Sequence, residues 1–339
     1  MTLSIPRQSE TSPGFRVPRR AALRAVAGTA GWLFATPWAN CQAGKLARGL
    51  VPGLGFSLYG MRSLPLPEAL AALAQIGYEC TELPVMPDWP GDSRRLSASS
   101  RAELRRQLEA HHLRLSALME NLPLAGDGDE QPLLDRLRSA IEMAVDFKTP
   151  SGGGTDAQRQ GGPVVETILG GRPGTFEMFK KRLADRLRRW AEVAAEGQVV
   201  VAIKAHVSNA LQRPDQLVWL VKEVASPWIK ATYDYSHFQV QGLKLAASIR
   251  EVGPHMAFVH VKDGQLVDGR PRFLLPGQGE TDYEQMWRLL LELGYRGDVV
   301  VEVSSQISSA AGYDPLTAAR QCHEVLASAR RRALEGAGR

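Results

Sequence analysis

The chain has 339 residues and a formal net charge of +5 at neutral pH. That length holds one α/β barrel of about 250 residues with a leader to spare. The basic balance is no footprint for a polyanion. Residues 1–43 carry five Arg (Arg7, Arg16, Arg19, Arg20, Arg24) against Glu10, a net +4, which leaves roughly +1 on everything that follows. Nucleic acid is therefore not an expected partner.

Arg19-Arg20 precede an Ala- and Gly-rich stretch from Ala21 to Ala35, with small residues around Ala39 and Ala43. Residues 1–43 are expected to be an export signal of the twin-arginine type. It would pass the chain through the export machinery to the periplasm or cell exterior. Arg24 interrupts the apolar stretch, which is too short for a permanent membrane anchor. The alternatives are a basic leader on a cytoplasmic protein and, third, a lipoprotein at Cys41, for which Trp38-Ala39-Asn40-Cys41 is a poor processing sequence. Cys80 and Cys322 are expected to be buried thiols, because a domain this large needs no disulfide.

Beyond the leader, eight strand-then-helix units follow. The strands expected first are Gly53–Tyr59, Cys80–Val85, Arg114–Met119 and Val164–Leu169, with helices over 67–76, 98–111, 132–145 and 176–196. Pro67 suits the start of the first helix, where a missing N–H costs nothing. Ser151–Pro163, rich in Gly and polar residues, reads as a rim loop.

The four remaining strands each end on groups that hold a metal or move a proton. They lie in Val199–His206, Ala231–His237, Ala257–Asp263 and Val299–Ser304, with helices over 214–224, 243–252, 283–293 and 315–334. Short, partly β-branched apolar runs of this kind read as strands buried on both faces. Successive polar ends, at 204, 234, 260 and 302, are 26 to 42 residues apart, the length of a strand-plus-helix unit. The expected fold is a single-domain (βα)₈ TIM barrel over residues 50–335, in which strand C-terminal ends share one mouth. Lys204, Asp234, His237, His260 and Glu302 should then meet.

Tyr233-Asp234-Tyr235-Ser236-His237, His260-Val261-Lys262-Asp263, Pro276-Gly277-Gln278-Gly279 and Val301-Glu302-Val303-Ser304 together resemble the xylose-isomerase-like TIM-barrel superfamily. Gly77-Tyr78-Glu79 is similar to its usual lead-in to strand two. The superfamily contains sugar and sugar-phosphate isomerases and epimerases and the endonuclease IV type of nuclease. The resemblance implies a divalent metal (Mn²⁺, Co²⁺, Mg²⁺ or Zn²⁺) held by Glu, Asp, His and Glu on strands five to eight. Asp234, His260 and Glu302 match the last three, and His237 matches a residue that contacts substrate. The first Glu is replaced by Lys204. That departure leaves three outcomes: Lys204 turns away, is deprotonated, or replaces the metal as electrophile.

Isomerisation and epimerisation begin by removing a proton from carbon next to a carbonyl, with a fixed cation on the enediolate oxygens. Glu302 is the expected base, Lys204 the electrophile and His237 the orienting group. His206, Trp89, Arg272 and Lys262 are candidate substrate contacts, Trp89 as a stacking platform for a sugar. Glu82 and Glu166 are further acids that point toward the mouth or form interior ion pairs. Trp190, Trp219 and Trp287 fall on helices as core, and His111-His112 closes a helix.

The expected activity is an exported isomerase or epimerase on a small carbohydrate. A keto-sugar lyase or hydrolase on the same barrel, and a carbohydrate-binding protein without catalysis, are the alternatives. A nuclease is disfavoured by the near-neutral charge after the leader and by too few His and acidic ligands for a three-metal cluster.

Overall fold

A computed structural model describes residues 51–126, 128–148 and 162–337. The expected export signal, Cys41 and most of the Ser151–Pro163 loop lie outside the described residues. No helix among the described residues is long and apolar enough to cross a membrane.

Eight parallel strands close into a barrel. They are β1 (Leu54–Ser57), β2 (Cys80–Pro84), β3 (Arg114–Met119), β4 (Val164–Ile168), β5 (Val201–Lys204), β6 (Ile229–Asp234), β7 (Met256–Val261) and β10 (Val299–Val301). They pair in that order, and β10 returns to β1 with Phe56 opposite Val301. Helices over Leu66–Ile76, Ala98–Ala110, Gln131–Asp146, Phe176–Gly197, Pro214–Val224, Leu245–Val252, Tyr283–Glu292 and Pro315–Ala337 lie between and after the strands. Their ends follow local chemistry. Ser97 and Asp282 cap two N-termini by accepting from the backbone N–H of Ser100 and Gln285. Gly77, at φ 106°, closes the first helix in the left-handed region that favours glycine.

The sequence pattern missed the segment after β7. There β8 (Asp263–Val267) and β9 (Arg270–Leu274) form an antiparallel hairpin on the barrel rim. Two short helices, Tyr235–Gln239 and Ser305–Ser308, also cap strand ends. Elements this short carry too few residues to show a period.

Strand side chains alternate between two cores. Outward-facing Leu54, Phe56, Val201, Ile203, Val259, Val261, Val299 and Val301 pack into the large core that includes Trp190 and Trp287 from the helices. Inward-facing Cys80, Ala117, Ala202, Phe258 and Val300 form a separate, small core within the barrel. Phe258 is the one large side chain of that layer, and small neighbours make room for it. One inward step further along the same strands stand Glu82, Lys204, His260 and Glu302. The barrel therefore has an apolar floor with a charged layer directly above it. Cys80 and Cys322 are buried free thiols, as expected.

Phe258 supports His260 edge-to-face, with ring centroids 4.9 Å apart. Phe258→Ala should open a cavity under the charged layer and lower unfolding stability by about 3–5 kcal/mol, as for other buried Phe truncations. Denaturant titration measures this; a loss below about 1 kcal/mol would mean Phe258 is not the floor.

Candidate active site at the barrel mouth

Lys204, the last residue of β5, is almost fully buried, with 2% of its surface exposed. Its ammonium lies 3.0 Å from His260 Nδ1, 3.0 Å from Glu302 Oε1 and 3.2 Å from Glu166 Oε1. The first two are aligned as hydrogen bonds. The contact to Glu166 is an ion pair without hydrogen-bond alignment, for neither Glu166 oxygen has a hydrogen-bond partner. Burial opposes the charge on Lys204, but Glu166, Glu302, Asp234 and Glu82 outweigh it and raise its pKa above the ordinary lysine value. Lys204 is thus a charged ammonium turned into the mouth. The deprotonated and turned-away alternatives are set aside.

Lys262, just after β7, forms the second half of the arrangement. Its ammonium bridges Asp234 Oδ2 and Glu302 Oε2. Asp234 also accepts from Ser236 Oγ at 2.6 Å and from Ser236 N at 3.2 Å, which caps the short helix Tyr235–Gln239. Burial pushes the Glu302 carboxyl up, but Lys204, Lys262 and His260 hold it well below the usual carboxylate range. Burial pushes Glu166 upward, and Lys204 offsets that only in part. Asp234 and Glu302 against Lys204 and Lys262 make a quartet with no net formal charge.

His260 links this quartet to a second pair. Its Nε2 is 3.1 Å from both Glu82 oxygens, and Ser57 Oγ donates to Glu82 Oε2 at 2.6 Å. Burial lowers the imidazole's proton affinity, but Glu82 and Glu302 together raise it above the ordinary value. A proton placed on Nδ1 would nevertheless face the Lys204 ammonium at 3.0 Å. Hydrogen-bond geometry therefore favours Nε2–H toward Glu82 and Nδ1 accepting from Lys204.

The wall beside the quartet is aromatic. His237 Nε2 lies 3.5 Å from Asp234 Oδ2, its ring centroid is 4.0 Å from that of His206, and Phe273 meets it edge-on at 4.9 Å. Burial, then the ammonium groups, hold both histidines neutral: His206 is lowered to about 4, and His237 well below the usual value. Phe273, from β9, also lies under Lys262, 5.3 Å from ring centroid to ammonium.

Of the expected substrate contacts, His206 and Lys262 are at the site. Arg272 is exposed on the outer side of the hairpin, because its inward neighbour in the strand alternation is Phe273. Trp89 stands at the rim, stacked on Tyr59 with centroids 4.9 Å apart and with the Arg62 guanidinium 4.5 Å from its ring. Beside it, Tyr59, Trp89 and Tyr313 with Ser305, Ser308 and Ser309 line a groove of about 110 Å³. Asp263 is architectural. It accepts from the N–H groups of Gly277 and Gly279 at 2.8 Å and from the Tyr283 hydroxyl at 3.0 Å, which pins the Pro276–Gly279 turn. Gly277 has φ 89°, and a Cβ on Gly279 would lie 2.8 Å from Asp263 Cβ.

Glu120, just past β3, was not anticipated. It is buried against Arg136, and burial outweighs that partner to raise its pKa to about 7. Its folded pKa exceeds its unfolded one, so the native state holds the extra proton between about 4.5 and 7. Its contribution to stability is therefore lost as pH rises through that window. Glu120→Gln should flatten the fall in unfolding free energy across it. Denaturant titrations at successive pH values test this, and an unchanged slope would count against it.

The chain belongs to the family described as xylose isomerase-like TIM barrel, which matches residues 70–329. It is 24% identical over 143 residues to the D-psicose 3-epimerase of Enterocloster bolteae, spanning 41% of this chain and 44% of the epimerase. It is 24% identical over 157 residues to the inosose dehydratase of Lactiplantibacillus plantarum, spanning 41% of this chain and 51% of the dehydratase. The matches thus span about half the length of these relatives. Among solved structures, the IOLI protein with a binding zinc atom superposes with a TM-score of 0.65 at 18% identity, over 81% of this chain and 98% of that one. At that identity the likeness shows the fold.

The mouth also holds residues of the kinds that bind a divalent ion. Asp234, His260 and Glu302 do come together, with ligand atoms within 4.8 Å of one another. Each of them is already held by an ammonium. An ion at an ordinary ligand distance of roughly 2–2.5 Å from His260 Nδ1 would lie no more than about 5.5 Å from Lys204 Nζ. At an effective dielectric of about 20, that ammonium alone opposes a doubly charged ion by about 6 kcal/mol or more. Among the described residues, Asp234, His260 and Glu302 thus offer an ion only atoms already engaged by Lys204 and Lys262, and a second possible cluster, Glu82, Glu166 and His260, meets Lys204 through Glu166 and His260.

Proposed function

We propose that this protein is a sugar isomerase or epimerase that removes a proton from carbon beside a carbonyl, with Glu302 as the base. The observation that carries this reading is accessibility. Glu302 has 14% of its side chain exposed, while the side chains of Glu82, Glu166, Asp234 and His260 are fully enclosed. Within the described cluster, Glu302 is the carboxylate that faces incoming substrate.

Glu302 is a weak base while both ammonium groups grip it. A substrate carbonyl or hydroxyl oxygen entering the mouth competes for the Lys204 and Lys262 protons. As those hydrogen bonds turn toward substrate, the ammonium groups face the oxygen on which charge develops, and the carboxylate regains basicity. Glu302 takes the proton and the electron pair moves into the enediolate. Returning the proton to the neighbouring carbon gives the isomer, whereas an epimer requires a second acid to protonate the opposite face of the same carbon. His237 and His206, held neutral, serve as hydrogen-bonding groups along the wall.

The relatives act on sugars and related polyols by name, which supports a small carbohydrate as ligand. The rim groove supports it too, since aromatic rings beside hydroxyl groups suit a sugar's alternating C–H and O–H faces. The single accessible carboxylate equally favours a second reading, elimination of a hydroxyl from a keto-sugar. The signal pattern at Arg19-Arg20 supports placing the activity outside the cytoplasm.

Incubation with a panel of ketoses and keto-sugars in D₂O tests the reading. Deuterium entering the carbon beside the carbonyl, with the molecular formula otherwise kept, is the expected result; loss of water identifies the lyase. Glu302→Gln should lower the exchange rate about 10²–10⁴-fold with an unchanged circular dichroism spectrum. Retained exchange would remove Glu302 from its role.

A further inference from the structure

We propose that Lys204 occupies the place of the family's divalent ion, so that this barrel works as a metal-free, cation-assisted centre. The inference rests on the reading of the mouth as a proton-transfer site only for what the centre is for; its physical content is the exclusion of an ion.

Three observations converge on it. The first is position. β5 and β6 pair with Lys204 opposite Thr232, two residues short of Asp234, and β6 and β7 pair with Asp234 opposite His260. Lys204 thus ends a strand neighbouring the ligand-type residues, and its side chain reaches one step further along to His260 and Glu302. The second is coordination. An ammonium carries three N–H groups, and Lys204 places its nitrogen within 3.2 Å of three ligand-type atoms from residues carried by three other strands: His260 Nδ1, Glu302 Oε1 and Glu166 Oε1. A small cation would approach the same kind of set. The third is charge. Lys204 and Lys262 place two ammonium groups against Asp234 and Glu302, Lys204 also faces Glu166, and the imidazole is engaged by Glu82 and Ser57 through a separate chain of contacts. The centre has its positive charge already built in.

Replacing Lys204 by a carboxylate reverses this. The quartet changes by two charge units toward negative, the ammonium against His260 Nδ1 disappears, and an oxygen donor takes its place. Asp234, His260 and Glu302 are already close enough to complete an ion site.

The test is Mn²⁺ binding to the full chain, followed by isothermal titration and by the electron paramagnetic resonance signal of Mn²⁺. Wild type, Lys204→Glu and Lys204→Glu/Asp234→Ala are compared without substrate. The expected result is one Mn²⁺ per chain on Lys204→Glu, at least about tenfold tighter than on wild type, and lost in the double variant. Wild type binding one ion as tightly as folded Lys204→Glu overturns the proposal. So does folded Lys204→Glu that binds no better than wild type. Circular dichroism reports folding; if Lys204→Glu does not fold, Lys204→Gln, which removes the charge at similar length, is judged for the same gain. No activity is measured, so the outcome stands whether or not sugar exchange is found. Absent exchange with this metal pattern would overturn only the proposed function.

Discussion

A buried ammonium among carboxylates is the contact around which this mouth is organised. Charges enclosed in a protein interior are costly to desolvate and persist only when paired. Lys204 satisfies that condition with Glu302, Glu166 and His260, and Lys262 with Asp234 and Glu302. Remove either lysine from this picture and enclosed carboxylates are left facing one another above an apolar floor. The site is thus a mutually dependent network, in which the charge of each member fixes the state of its neighbours.

The barrel makes such a network possible through strand alternation. Side chains two residues apart share a face, so each strand that contributes a small or aromatic residue to the floor contributes a polar one to the layer above. Ala202 and Lys204, Phe258 and His260, and Val300 and Glu302 show the same step on three strands. The strands are staggered, with Lys204 paired beside Thr232 and His260 beside Val300, and closure of the barrel brings the three side chains into contact. The hairpin β8–β9 and the turn tied down by Asp263 close one side of the mouth and bring Phe273 against His237 and Lys262.

Functionally, the arrangement separates two jobs that a bound ion would combine. The enclosed members Glu82, Glu166 and Asp234 set charge and orientation. The more exposed Glu302 and the lysine protons it holds are the groups a ligand can compete for. That division matches a site for stabilising an enediolate oxygen while a nearby carboxylate handles the proton.

Much of this was written in the chain itself. Short β-branched runs ending in Lys204, Asp234, His260 and Glu302, spaced by helix-length intervals, determined the barrel and the convergence of those residues, because parallel strands joined by helices admit few other closures. β3 and the helix over Pro214–Val224 match the expected bounds, and Trp190, Trp287, Cys80 and Cys322 are buried as their contexts implied. The partners within the mouth were not legible. That Lys204 faces Glu166 as well as Glu302, that Lys262 bridges Asp234 and Glu302, that Glu120 is enclosed and that Phe273 rather than Arg272 turns inward all depend on contacts between residues far apart in the chain. Strand period assigns a side chain to a face, but only the closed barrel decides which charges meet on that face and which of them remains in reach of a ligand.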